Sequence, residues 1–491
     1  MNEYLKSGDI PENISKHSKD NIIISIAIFF AVMLVYFPVI STNYGYVDDF
    51  SFIQSAIDGS NAILNQAASG DRLLSGLLTN FLFHSFKSIN AIKYIRAISV
   101  ILIAAFSIIF FRLLTSSGYD NKSSAAYSIL VACTPSFQIY GSWAVLVGAP
   151  LSAIFALLAA FSHLRLKKWG LFFFRASMVL MSLLFYQPSA MIFFALLPVA
   201  LYSRLGNKES NHFNFVLLYI LSGFVGMIGA YLMLNVNYAL GFSVSHRATI
   251  TNNIISKAEW FFHGPLISST NIFMVRPQFL PAFLILILFL FLFTTQKKLR
   301  STPFLLSLAC AIPLSYAPNL IVIGDWASNR TLVGLEVLWC GIIFLFLDWL
   351  LKSKSQFLTN GFIAAVLIVI LLSSQNNIMD EFVIPGSIEY ACALHEMRII
   401  DPKNGSTVCI VPSNWTASLA RYTSMDDFGG TPFSANWSAT SIFYDTLHLL
   451  YPKKKVNFII SDNSRCKYTI ETHQTETYRI FHEQLYTLGK N

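Results

Sequence analysis

The chain has 491 residues, 54% hydrophobic and only 12% charged, against roughly 25% charged in an average soluble domain. With 43 phenylalanines and a mean hydropathy of +0.55, long apolar runs dominate and a soluble globular fold is excluded. The net charge of +8 comes without a dense basic tract or Cys/His module, so nucleic-acid binding is excluded too; the Lys and Arg residues fall in short links between apolar runs.

Residues 1–20 are polar and carry Lys6, Lys16 and Lys19, which predicts a cytoplasmic N-terminal tail ahead of a retained membrane anchor at 21–40. An outer loop, 41–90, follows, in which Ile53, Ile57 and the cluster Leu73, Leu74, Leu77 and Leu78 stand at helical spacings. Parts of it are expected to lie along the membrane surface. Spans are then expected at 95–114, 124–143, 148–161, 171–186, 189–202 and 213–234, before a second outer loop at 235–278. Further spans at 279–293, 303–323, 332–350 and 357–372 bring the total to roughly eleven. Arg165, Lys167 and Lys168, then Arg204 and Lys208, Lys297, Lys298 and Arg300, and Lys352 and Lys354 mark the cytoplasmic ends by the excess of positive charge found there.

The polytopic domain is thus expected over 21–372, and the odd span count carries a polar tail, 373–491, to the outer side. Strand-like pieces at Thr407–Val411 and 456–460, with 475–483 as a further strand or helix edge, predict a small mixed α/β domain over an all-α membrane bundle. No β-barrel alternation, tandem repeat or solenoid period is present. Cys133, Cys310 and Cys340 lie in apolar surroundings as packing residues. Cys392, Cys409 and Cys466 lie in the tail, where one disulfide with one thiol left over is allowed and the pairing stays open.

The polar residues that can carry chemistry gather beside these spans. Asp48 and Asp49 follow the first span, where a carboxylate meets both water and a membrane-borne substrate and can take a proton from a sugar hydroxyl. Asp49 is marginally the better base; the structural alternative is a solvated loop capping a helix near Phe50. Asp71 and Arg72 form either a salt bridge that fixes the next helix or a phosphate contact through the planar guanidinium. Asp325 and Arg330 make a second polar patch, in which Arg330 either clamps a lipid phosphate or snorkels to the interface. His246, Arg247, Trp260 and His263 in the second loop are candidates to join it, with Trp260 stacking on a sugar face. In the tail, Trp415, Asp426 and Asp427 belong to a stretch rich in aromatics and short polar groups, suited to a glycan-facing surface or to an aromatic mini-core. No spacing fits a metal motif, so no cofactor is assigned and dependence on a divalent ion stays open.

The stretches Asn43-Tyr44-Gly45-Tyr46-Val47-Asp48-Asp49, Asp71-Arg72-Leu73-Leu74, Ser328-Asn329-Arg330-Thr331-Leu332-Val333-Gly334 and the tail from Leu419 to Gly430 together resemble the glucosyl transferase II family of bacterial O-antigen-modifying membrane enzymes, within the class C glycosyltransferases. The resemblance implies a polytopic enzyme of the bacterial inner membrane that takes glucose from undecaprenyl phosphate-glucose and transfers it to the O-antigen repeat of lipopolysaccharide on the periplasmic side, a serotype-converting activity. It implies Asp48 and Asp49 as the catalytic acids and Arg330 on the donor phosphate; the residues' own chemistry adds Arg72 or Arg247 beside Arg330, and Tyr44, Asp71, His246, Trp260, Asp325, Trp415, Asp426 and Asp427 as candidate substrate contacts. A donor synthase and a flippase are the implied functional partners. The first loop departs from the frequent Gly-Arg pattern by carrying Asp71-Arg72. The competing reading is a transporter or flippase of a lipid-linked glycan, which requires a polar route through the bilayer.

Overall fold

The computed structural model describes residues 12–162, 168–205, 211–242, 249–274, 279–353, 356–411, 427–428, 436–460 and 477–481. The protein is a largely helical, multi-pass membrane protein. Among the described residues, six helices are long and apolar enough to cross a bilayer: Lys19–Ser41, Ile89–Ser116, Lys168–Phe185, His212–Ala239, Val333–Leu351 and Ile363–Ile400. Large apolar side chains such as Ile23, Phe173 and Phe283 stand exposed on these and neighbouring helices, the arrangement a lipid solvent favours.

The expectation of about eleven similar spans is corrected by breaks in the helices. Pro135–Ser142 and Ala144–Ala160 are apolar enough as a pair but turn through 108° between them. Gln187–Tyr202, Phe279–Thr295 and Thr302–Leu314 are apolar but shorter than a span. Prolines explain much of this: Pro135, Pro188, Pro198 and Pro318 each sit in the first turn of a new helix. There the missing amide costs nothing, whereas in mid-helix it removes a hydrogen bond and the ring clashes with the preceding turn.

One segment is longer than its apolar run suggested. The helix expected to end at 372 continues as Gln356–Ile378, a π-helical turn at Met379–Val383, and Ile384–Ile400. The polar tail therefore starts as an extension of a membrane helix. Beyond it lies a parallel three-stranded sheet, β1 (Thr407–Val411), β2 (Asn457–Ile460) and β3 (Thr477–Phe481), in the order β2-β1-β3 with Cys409 opposite Ile459 and Arg479. Helix Asn436–Leu450 makes the crossover between β1 and β2, as a parallel connection demands.

The first loop folds into the short helices Asp48–Ile57, Ala62–Ser69 and Leu73–Ser85, consistent with its helical spacings. Phe50, Ile53 and Ala56 share a buried cluster with Tyr390, Ala439, Ile442 and Phe443, so the tail is seated on the helix that begins with the two acids. Ser438 Oγ donates to Val47 O at 2.6 Å and Ser441 Oγ to Gln54 Oε1 at 2.9 Å, fixing the tail helix along this first loop.

A candidate active site at the membrane face

Arg96 anchors the approach to the acids. It lies within the apolar helix Ile89–Ser116 and is fully buried. Its guanidinium donates to the carbonyls of Val39 (2.8 Å), Tyr44 (2.8 Å) and Thr42 (2.9 Å) and lies 3.9 Å from the centre of the Tyr44 ring. Three carbonyls at the end of the first span, which no helix satisfies, are thereby paired. Tyr44 completes the anchor: it is fully buried and its hydroxyl donates to Ser142 O at 2.9 Å. Its ring and hydroxyl are thus both engaged, the one by Arg96 and the other by the Ser142 carbonyl.

The two turns that present the first-loop acids are strained. Val47, directly before Asp48, has φ of 34°, and Asp71 has φ of 56°. A β-branched residue at positive φ is an outlier, and such strain costs on the order of 1–3 kcal/mol where the surrounding structure enforces it. Here the enforcement is visible: Ser438 holds the Val47 carbonyl, while Gln187 Nε2 donates to the carbonyls of Gly70 (2.6 Å) and Asp71 (3.1 Å).

Asp48 and Asp49 differ in their surroundings. Asp48 is half-buried. Asp49 is fully buried and accepts from Tyr46 N at 3.0 Å and Val145 N at 3.2 Å. Burial pushes its carboxyl up to about 7, against the pull of Arg96 and of the two amides, with Asp48 adding to the rise. Asp71 is 8% exposed, and its Oδ1 is buried with no hydrogen-bond partner. Burial raises its carboxyl to about 7 as well.

Arg330 approaches from the other side of the chain. Its guanidinium pairs with Asp427 of the tail, its backbone amide donates to Asp427 Oδ2 at 3.1 Å, and it lies 4.9 Å from the ring of Trp143 and 4.8 Å from that of Trp326. The Tyr46 hydroxyl donates to the Asp427 carbonyl, and the Tyr46 ring packs edge-on to Trp143 at 5.0 Å and against Phe382 of the π-helical turn at 5.1 Å. Tyr186 hydrogen-bonds Arg330 and feels the charge of Arg72. The loop of Arg330 is held below by Ser136, whose Oγ donates to Asn329 O at 2.7 Å and whose amide donates to Glu336 Oε2 at 3.2 Å. Tyr140 Oη donates to Arg330 O at 2.6 Å.

The fold thus brings together Tyr46–Asp49, Asp71–Arg72, Arg330 and Asp427, which are hundreds of residues apart. Asp325 and Arg330 have different charged partners. Asp325 is taken by Lys257 (2.7 Å), whose Nζ also donates to Gly324 O at 2.6 Å and sits 4.2 Å from the ring of Trp260. An antiparallel bridge between Ile250 and Val322 ties this second loop to the segment entering Asp325. Trp260 therefore packs with Lys257 and Tyr316, and Trp326, next to Asp325 in the chain and against Arg330 in space, links the two ion pairs. His246, Arg247, Trp415 and Asp426 lie outside the described residues.

Sequence reasoning missed Arg96, Trp143, Tyr186 and Gln187. Arg96 had a signal, since an ionisable residue inside an apolar span is expensive and thus marks a site with named partners. The other three read as ordinary aromatic and turn residues. Chemically, the arrangement offers an arginine framed by the rings of Trp143 and Trp326, tied through Asp427 to the Tyr46 turn that leads into the half-buried Asp48. Arg330 offers a planar donor fork to an anion, and the aromatic faces suit the apolar side of a sugar or prenyl chain.

The chain matches no family model, and no curated protein is significantly similar to it in sequence.

Proposed function

We propose that this protein is a class C-type glycosyltransferase that moves glucose from undecaprenyl phosphate-glucose to the O-antigen repeat of lipopolysaccharide, at the periplasmic face of the bacterial inner membrane. The observation that supports this reading is the convergence of the Tyr46 turn, which leads into the first-loop acids, with Arg330, Asp427 and Tyr186, the last of which feels the charge of Arg72. A carboxylate and a phosphate-binding guanidinium are the two parts that transfer from a lipid phosphate requires.

In this reading Asp48, the less buried acid, accepts the proton of the acceptor hydroxyl as its oxygen bonds to the sugar C1. The C1–O bond to the lipid phosphate breaks, and its electron pair stays on the phosphate oxygen. Arg330 and Arg72 stabilise the charge that develops there, so the leaving group needs no second carboxylic acid. Asp49, held by two amides beneath, fixes the turn that presents Asp48. Asp71 and Gln187 shape the opposite wall. The Arg330–Asp427 pair marks an anion site: the phosphate takes the place of a carboxylate. The disulfide at Cys409 supports reading the tail as lying in an oxidising compartment, in keeping with a periplasmic mouth.

The test is mass and linkage analysis of lipopolysaccharide from matched cells with and without the protein, and with Asp48→Asn or Arg330→Gln. One added hexose per repeat is expected, lost in both variants when each is found in the membrane at wild-type level. Unchanged glycans in cells with verified protein and donor would refute the transferase reading and favour transport.

A further inference from the structure

The opposite end of the bundle carries a second polar feature that the proposed transfer does not use. Helices Lys19–Ser41 and Ile89–Ser116 pack antiparallel, with Arg96 held at the Val39 end and Arg112 beside Ser25. At 1.5 Å per residue Arg112 lies about 24 Å from Arg96 along the helix, close to the ~30 Å thickness of the hydrocarbon core. Arg112 is thus at the far membrane boundary, one turn before its helix ends.

Between the two helices runs an open groove of about 290 Å³, with Arg112 at its polar side and Ile22, Ile26, Phe29, Phe30 and Ile108 along its walls. Ile22, Ile26 and Phe30 recur every four residues and are 49%, 51% and 65% exposed, so one stripe of the first helix opens toward lipid. Arg112 Nε donates to Ser25 Oγ at 3.1 Å. Among the described residues its two terminal nitrogens make no hydrogen bond or ion pair. With respect to the described residues, the guanidinium thus presents two further donor groups at headgroup depth above an apolar channel.

The other charges at this end are mixed, with Asp20 close to the groove and Asp120 beside Asp348, but Lys and Arg outnumber the acids. Lys122 opens the helix that follows the short turn after Ser116, and Lys297, Lys298 and Arg300 form the turn between Phe279–Thr295 and Thr302–Leu314, whose later residues lead to the Arg330 mouth. A planar donor fork matches a phosphodiester, basic interhelical pockets recruit anionic headgroups, and the groove suits one acyl chain.

We infer that this groove is a binding site for a single anionic phospholipid of the bilayer, with its phosphate on Arg112 and one acyl chain between Ile26, Phe30 and Ile108. The inference is independent of the proposed transfer reaction. It is tested on the full-length protein, purified in detergent and delipidated, by native mass spectrometry with phosphatidylglycerol or phosphatidylcholine added. One phosphatidylglycerol is expected to bind at least tenfold more tightly than phosphatidylcholine. R112Q removes that preference, and R112K, a point charge without the fork, retains part of it. I26W fills the groove while leaving Arg112 in place, and lowers phosphatidylglycerol binding at least fivefold. Circular dichroism and size-exclusion profiles check each variant's fold; should R112Q fail to fold, I26W decides. Equal binding of the two lipids by the wild type, or undiminished phosphatidylglycerol on I26W, would overturn the site and leave Arg112 as a snorkelling side chain.

Discussion

Asp49→Asn separates the chemistry of the buried acid from its energetic cost. An unfolded Asp titrates near 3.9, whereas burial holds Asp49 up to about 7 in the folded protein. The folded state thus binds a proton that the unfolded state has released, so stability falls as pH rises from about 4 to about 7 and is flat above. At 1.36 kcal/mol per pH unit the penalty is about 1.5 kcal/mol at pH 5 and about 4 kcal/mol at pH 8. Asn removes the penalty, but its amide nitrogen faces Tyr46 N or Val145 N and leaves one buried donor unpaired, a loss of about 1–2 kcal/mol. The variant is therefore expected to match the wild type at pH 5 and to be about 2–3 kcal/mol more stable at pH 8. Denaturant or thermal unfolding of the full chain in detergent at both pH values measures this. Equal destabilisation of Asp49→Asn at pH 5 and pH 8 would refute the argument, since it would mean that Asp49 is ionised in the folded protein at both pH values, as it is in the unfolded chain.

Two further substitutions probe the frame around the acids. Arg96→Met keeps the apolar stem but strips three carbonyls of their donor, and is expected to cost about 3–5 kcal/mol, the scale of a broken buried charge network; a melting temperature unchanged in detergent would show that water satisfies those carbonyls. Asp427→Asn keeps an acceptor for the Arg330 amide but removes the charge that competes with an incoming phosphate, so the KM for a lipid-phosphate sugar is expected to fall several-fold. An unchanged or higher KM would show that Arg330 remains on Asp427 through turnover.

The places where the sequence was legible and where it was not follow from range. Apolar run length and basic links are local properties, and they located the long helices well; the short apolar pieces that became β1 and β2 were legible in the same way. Proline breaks were harder, because a run such as 189–202 stays apolar through Pro198 and hydropathy does not register the lost amide. The continuation from 372 to Ile400 was hidden for the opposite reason: polar Gln375, Asn376 and Asn377 ended the hydropathy signal while the backbone stayed helical. At the site, the acids and Arg330 stood out individually, but their meeting depends on Tyr46 reaching Asp427 across 381 positions and on Arg96 reaching back to the end of the first span. Neither distance leaves a mark in local composition. Arg96 is instructive, because its burial among Val39, Thr42 and Tyr44 makes an intramembrane charge less expensive by giving each guanidinium nitrogen a fixed carbonyl, and those carbonyls lie on the chain that leads into Asp48 and Asp49. A charge that looks misplaced in a span is therefore a pointer to the loop it must satisfy, and that loop is where the candidate chemistry lies.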